Sequence, residues 1–166
     1  MKPRPLTLSA MGLLMLSSIY GCRQAQERLA LYTDPRHRFA CQAPARWRSV
    51  EGQGGSHIVS FYGPPAGPRR FSTMIGVFWH GGTETIGSYV LSQRASGGPS
   101  RLEPLALPRV QGFRLAQEAA ETGLAETREE SILIPAPNGF WALVYSAPKE
   151  SFEDSRSLFL AAARSL

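Results

Sequence analysis

Apolar residues fall along this chain in three rhythms. From Leu6 to Ile19 (LTLSAMGLLMLSSI) they form a run without a charge. Further on they alternate. Ser56 to Tyr62 (SHIVSFY) sets Ile58, Ser60 and Tyr62 against His57, Val59 and Phe61, and Phe71 to His80 (FSTMIGVFWH) is as rich in β-branched and aromatic residues. Alternation predicts strands, because successive side chains of a strand point to opposite faces. The third rhythm is helical. After Gly81-Gly82, Thr83 or Thr85 is placed to cap a helix running to about Ser96, in which Ile86, Tyr89, Val90 and Leu91 recur near the helical period. A terminal helix is predicted over Ser151 to Ser165, capped by Ser151 with Asp154 three residues on, and with Phe152, Leu158, Phe159 and Ala162 on or near one face.

Breakers divide the rest. His37 to Cys41 (HRFAC) reads as a short strand stopped by Pro44-Ala45-Arg46-Trp47, since proline lacks the ladder donor, and Trp47 is expected to plug the core. Gly52 to Gly55, Gly63 to Arg70 (GPPAGPRR) and Gly97 to Pro108 read as loops. Ser131 to Ile134 and Phe140 to Ser146 flank Asn138-Gly139, which supplies positive φ for a hairpin turn. Between Val110 and Glu130 two signals conflict: propensity favours a helix, whereas Phe113, Leu115, Gln117 and Ala119 can line one strand face before a turn at Gly123.

The first apolar run changes the picture most. Lys2 and Arg4 precede it and Ile19-Tyr20-Gly21-Cys22 follows it, the order of a secretory leader. Its 14 residues fall short of the roughly 20 that a membrane-crossing helix needs. The junction resembles the lipobox of bacterial lipoproteins, with aliphatic Ile19 three before the cysteine and small Gly21 directly before it; Tyr20 is bulkier than the pattern prefers. The resemblance implies cleavage between Gly21 and Cys22 and a diacylglyceryl group on the Cys22 thiol, with a further chain on the new amino terminus. At about 0.8 kcal/mol per buried methylene, two or three chains, palmitate among them, hold a protein on a bilayer effectively permanently. The alternative is an ordinary secretory leader whose cut falls near a cysteine. Arg23, in place of the aspartate that retains enteric lipoproteins on the inner membrane, favours the outer one if the source has two. The expected organisation is a leader over residues 1–21, a polar tether over 22–30 and a single domain over 31–166, lipid-anchored in a bacterial cell envelope.

Composition fits a folded domain: 43% hydrophobic, 10% aromatic and 19% charged residues. The net charge of +5 shrinks once Lys2 and Arg4 leave with the leader, because sixteen basic residues then face thirteen acidic ones, a net +3. The arginines are scattered, so no concentrated basic surface for nucleic acid is expected. With Cys22 acylated, Cys41 becomes a lone thiol and is read as a small buried apolar residue; nearby Arg36, His37 and Arg38 keep a reactive thiol open as the alternative.

Tyr32-Thr33-Asp34, Phe39 and Pro44-Ala45-Arg46-Trp47 near the start, with Tyr145-Ser146-Ala147-Pro148, Phe152, Phe159 and Ser165-Leu166 at the end, give the chain a likeness of order. It resembles the PsbP-like group of small α/β proteins, which takes in the extrinsic photosystem protein, a yeast Ran-binding import factor, and lipoproteins of the LpqN and DcrB types. The resemblance implies an α+β fold, a central antiparallel sheet flanked by helices in an α/β/α sandwich, and so favours strands between Arg109 and Ile134. It carries no catalytic residue over, and fold alone does not carry function.

His37, His57 and His80 lack metal-ligand spacing, and no nucleophile elbow, Walker loop or dinucleotide fingerprint occurs, so neither a cofactor nor a metal site is expected. Glu118, Glu121, Glu126, Glu129, Glu130, Glu150, Glu153 and Asp154 read as a wetted surface rather than an acid-base pair. Phe78-Trp79 and Phe140-Trp141 place neighbouring aromatics on opposite strand faces; either helices cover both faces or one ring of each pair is free for a partner or ligand. The expectation is a non-enzymatic envelope lipoprotein that binds another envelope protein. The alternative is a binder of a small hydrophobic or lipidic ligand in a groove between sheet and helix, at residues the sequence does not fix beyond aromatics such as Trp79 or Trp141.

Overall fold

The computed structural model describes residues 27–36, 38–66, 71–97, 100–117 and 127–166. Among the described residues nine strands and two α-helices follow in order: β1 (Leu29–Thr33), β2 (Ala40–Pro44), β3 (Arg48–Gly54), β4 (His57–Ala66), β5 (Phe71–Gly81), α1 (Ile86–Gly97), β6 (Ser100–Ala106), β7 (Gln111–Gln117), β8 (Thr127–Ala136), β9 (Gly139–Pro148) and α2 (Phe152–Ser165). β1 and β2 form a separate hairpin, and the other seven strands make one sheet in the order β3-β4-β5-β9-β8-β7-β6 with every pairing antiparallel. Two meanders thus meet along β5 and β9, with α1 carrying the chain from the middle of the sheet to its far edge. The α+β expectation is met, and so are strands in the described parts of the ambiguous region; the Gly123 turn lies outside the described residues.

Register divides the sheet into two faces. Val59, Phe61, Ile75, Val77, Leu143, Tyr145 and Ile132 share one face with α2 and the β1-β2 hairpin, while Leu115, Leu133, Phe140 and Ala142 share the other with α1. Helix α2 buries Phe152, Phe159, Ala162 and Ala163, positions on one helical stripe. The Tyr145 hydroxyl donates to the Phe152 carbonyl at 2.7 Å, which fixes the start of α2 on β9. Burial pushes that hydroxyl's pKa well up, so it stays a donor. Trp47 is buried as expected, lying across Gly63 so closely that a Cβ there would be 2.8 Å from its ring.

The caps divide. Thr85 caps α1 through a reciprocal pair, Ser88 N–H to Thr85 Oγ1 at 3.1 Å and Thr85 N–H to Ser88 Oγ at 2.9 Å. Ser151 does not cap α2: a 3-10 turn over Lys149–Ser151 feeds straight into the helix. In the β8-β9 turn Asn138 takes the expected positive φ, 64°.

Three predicted loops are partly strand. Gly52 to Gly54 belongs to β3. Gly63 to Ala66 continues β4, which tolerates Pro64 and Pro65 because β3 pairs with β4 only as far as Tyr62, leaving that edge without a ladder to complete. Ser100 to Ala106 is β6, an edge strand whose outer side needs no donors, so Pro104 fits. The short strand expected over His37 to Cys41 is displaced: β2 begins at Ala40, and a turn precedes it.

Candidate functional site

The turns joining β1 to β2, β3 to β4, β6 to β7 and β8 to β9 gather at one end of the sheet, the end at which α2 finishes. Among the described residues two cavities lie there, and Arg38 lines both.

The first is an apolar groove of about 270 Å³. Its aromatic wall is built from Phe39 and half-buried Trp141, ring centroids 5.2 Å apart, and Trp141 in turn packs on its cross-strand partner Trp79 at 4.8 Å. Leu107, Ile134 and Leu166 add to the apolar lining. Leu107 reaches it because Gly112 has no Cβ: one there would stand 2.9 Å from Leu107 Cδ1 and 3.1 Å from the Leu133 carbonyl. Three arginines, Arg38, Arg109 and Arg164, line the groove with no acidic side chain among its walls.

The second is a polar cleft of about 280 Å³ between the β1-β2 turn and the β3-β4 turn, lined by Asp34, Arg36, Arg38, Glu51 and His57. Asp34 organises it. Its carboxylate, 2% exposed, accepts from Arg38 Nε at 2.9 Å and Arg38 Nη2 at 2.8 Å and from the Arg36 and Arg38 backbone N–H groups. The Arg38 hydrogen bonds outweigh burial and hold the Asp34 carboxyl at about 2. A bidentate fork of this kind fixes the guanidinium in orientation as well as place. His57 faces Ser60, Nε2 to Oγ 2.9 Å.

A third charged feature lies outside both cavities. Glu130, expected on a wetted surface, is 1% exposed and caged by two arginines: Arg114 Nε at 2.8 Å from β7 and Arg156 Nε at 2.7 Å from α2. Burial alone would raise its carboxyl, but the two guanidiniums overcome that and lower it. Glu103, Arg101, Glu153 and Arg128 extend the pairing on either side. Ionised, and with both oxygens taken, Glu130 is a clasp between α2 and the sheet rather than a proton carrier.

Ile19, Tyr20, Gly21 and Cys22 lie outside the described residues, as do His37, Glu118, Glu121 and Glu126. Cys41 is buried, and burial pushes its thiol up to about 12, the behaviour of a packed apolar residue and not of a nucleophile. His57 and His80 sit on the α1 face with Phe78 between them, and His80 is held by Glu84 at 2.9 Å and stacked on Phe140. Among the described residues no three His, Cys, Asp or Glu side chains gather as metal ligands. Of the paired aromatics, Phe140 is buried under α1, whereas Trp141 is half-buried in the groove. Sequence reasoning missed Arg38, Arg109 and Arg164 as a set, because residues some 55 to 125 positions apart meet only through the fold.

No family model matches the chain, and no curated protein matches its sequence. Among solved structures it is similar to the solution structure of cyanobacterial PsbP (CyanoP) from Synechocystis sp. PCC 6803, with a TM-score of 0.57 and 16% identity over 90% of this chain and 96% of that one. It is also similar to PA94 from Pseudomonas aeruginosa, a protein of unknown function described as a putative regulator, with a TM-score of 0.54 and 15% identity over 84% of this chain and 96% of that one. At such identities the likeness carries the fold alone. The chain has an α+β fold of the kind seen in CyanoP, an antiparallel sheet with a helix on each face.

Proposed function

We propose that this chain is a membrane-anchored envelope lipoprotein whose domain binds a protein partner and catalyses no reaction. The anchor rests on the leader and on Ile19-Tyr20-Gly21-Cys22. The observation that carries the rest is where the groove lies relative to the incoming chain. Arg28, whose carbonyl accepts from the Ala45 N–H at 2.8 Å, stands at the start of β1, and the turn holding Arg38 and Phe39 lies past the end of β1. Five residues at roughly 3.3 Å each separate the two by about 17 Å. A chain held through Cys22 therefore enters at one end of the hairpin and offers the groove at the other. At about 270 Å³ the groove is smaller than the roughly 300–1,000 Å³ typical of drug-sized ligand sites and suits one or two side chains of a partner. Arg23 after Cys22 favours the outer membrane in a source with two.

The aromatic wall at Phe39 and Trp141 supports a second reading, a small hydrophobic or lipidic ligand held between sheet and helix. One preparation tests both. Full-length protein, metabolically labelled with palmitate and purified with its anchor, is expected to carry label that Cys22→Ser abolishes and to bring down one protein in stoichiometric amount. Label persisting in Cys22→Ser overturns the anchor; a bound lipid without any protein overturns the partner reading in favour of the second.

A further inference from the structure

The groove has a sign as well as a shape. Arg109 and Arg164 are exposed on its rim, and among the described residues neither makes an ion pair or a side-chain hydrogen bond. Arg114, Arg128 and Arg156 elsewhere are each paired with a glutamate. Arg38 spends Nε and Nη2 on Asp34 and keeps Nη1. Unpaired guanidiniums beside an aromatic wall, with no acidic side chain in the lining, complement a ligand that is apolar at its centre and anionic at its flanks.

Building on the reading of this domain as a protein-binding module, we infer that the groove receives an acidic segment of the partner: a large apolar side chain seated against Phe39 and Trp141, with neighbouring carboxylates held by Arg109 and Arg164. The volume admits a side chain and not the paired acyl chains of a phospholipid. The groove also lies at the end of the hairpin away from Arg28, where the described chain enters. Specificity follows from the division of labour. The apolar side chain contributes most of the affinity, and the arginines reject basic segments by like charge.

The test uses the full chain in detergent micelles and a fluorescein-labelled synthetic peptide, a phenylalanine flanked on each side by glutamate in a serine-glycine background, read by anisotropy. Saturable binding is expected, weakened about tenfold or more by the double substitution Arg109→Glu/Arg164→Glu, by exchanging the peptide's glutamates for lysine, and by raised salt. Both positions are exposed, so the variant is expected to keep the wild-type melting temperature, and Leu91→Glu, on α1, serves as a distant control with unchanged binding. No saturable binding, or equal binding by the wild type and the double variant, overturns the inference. So does binding of the wild type, lost in the double variant, to phosphatidylglycerol vesicles but not to the peptide. If a co-purifying protein stays with the double variant in stoichiometric amount, the partner reading survives and the groove is removed from it; if no protein co-purifies and the peptide does not bind, both fail.

Discussion

The two faces of the sheet are covered by different means. On one, α2 and the β1-β2 hairpin join the sheet in a cluster of sixteen buried residues among those described, running from Trp47 through Ile75 and Tyr145 to Phe159; on the other, α1 joins it in a cluster of six. The helices differ accordingly. Helix α2 sends two phenylalanines and two alanines inward, whereas α1 buries Tyr89 and Val90 and leaves Leu91 66% exposed. Polar chemistry reinforces the asymmetry: Glu130 clasps Arg156 of α2, and Asp34 pins the hairpin turn, while the α1 face is held by aromatic stacking around His80 and Phe140. Local stability follows buried contact, so α1 is the element expected to open first, and its amides to exchange ahead of those of α2.

Packing gives the largest expected effect. Phe159→Ala should cost about 3–5 kcal/mol through lost transfer energy and a cavity under α2. Val90→Ala on the other face should cost only about 1–2 kcal/mol, the worth of two methyl groups. Urea unfolding at constant slope measures both, and equal costs would break the comparison.

Next comes the clasp. Glu130→Gln keeps the volume but leaves Arg114 and Arg156 facing each other across a neutral amide, and a loss of about 2 kcal/mol is expected by the same assay. A stabilised variant would show the network to be costly, with α2 held by apolar contact alone.

The smallest effect is acid sensitivity. The Asp34 carboxyl is held at about 2 against an ordinary 3.8, so its stabilisation is complete above the ordinary value and disappears as pH falls through the lower one. Asp34→Asn should cost about 1–2 kcal/mol at neutral pH. The difference from wild type should vanish between about pH 4 and pH 2, in the window that these two pKa values set. A difference constant across that window would mean that Arg38 is held by shape and not by charge.

Legibility followed burial on a single element. Helix α2, the β8-β9 hairpin, the core of β4 and β5 and the Thr85 cap were readable because their side chains alternate or recur locally. Strands β3 and β6 were not, since edge strands with one bonded side tolerate glycine, proline and charge and so lack an apolar rhythm. Glu130 was misread for a related reason: a glutamate's burial depends on guanidiniums that β7 and α2 bring from 16 and 26 residues away. Trp141 is legible as a groove aromatic, but its partners Phe39, Leu107 and Arg164 come from three other parts of the chain.

By itself the sequence determined the uncharged run before Cys22, the strand and helix rhythms, the Asn138 turn and the burial of Trp47, because each depends on residues within one or two turns of chain. Only the tertiary structure decided the pairing of β5 with β9, the caging of Glu130 and the meeting of Arg38, Arg109 and Arg164 around an aromatic wall. These are contacts between elements far apart in sequence, and charge and shape complementarity at such distances leave no periodic trace in the order of residues.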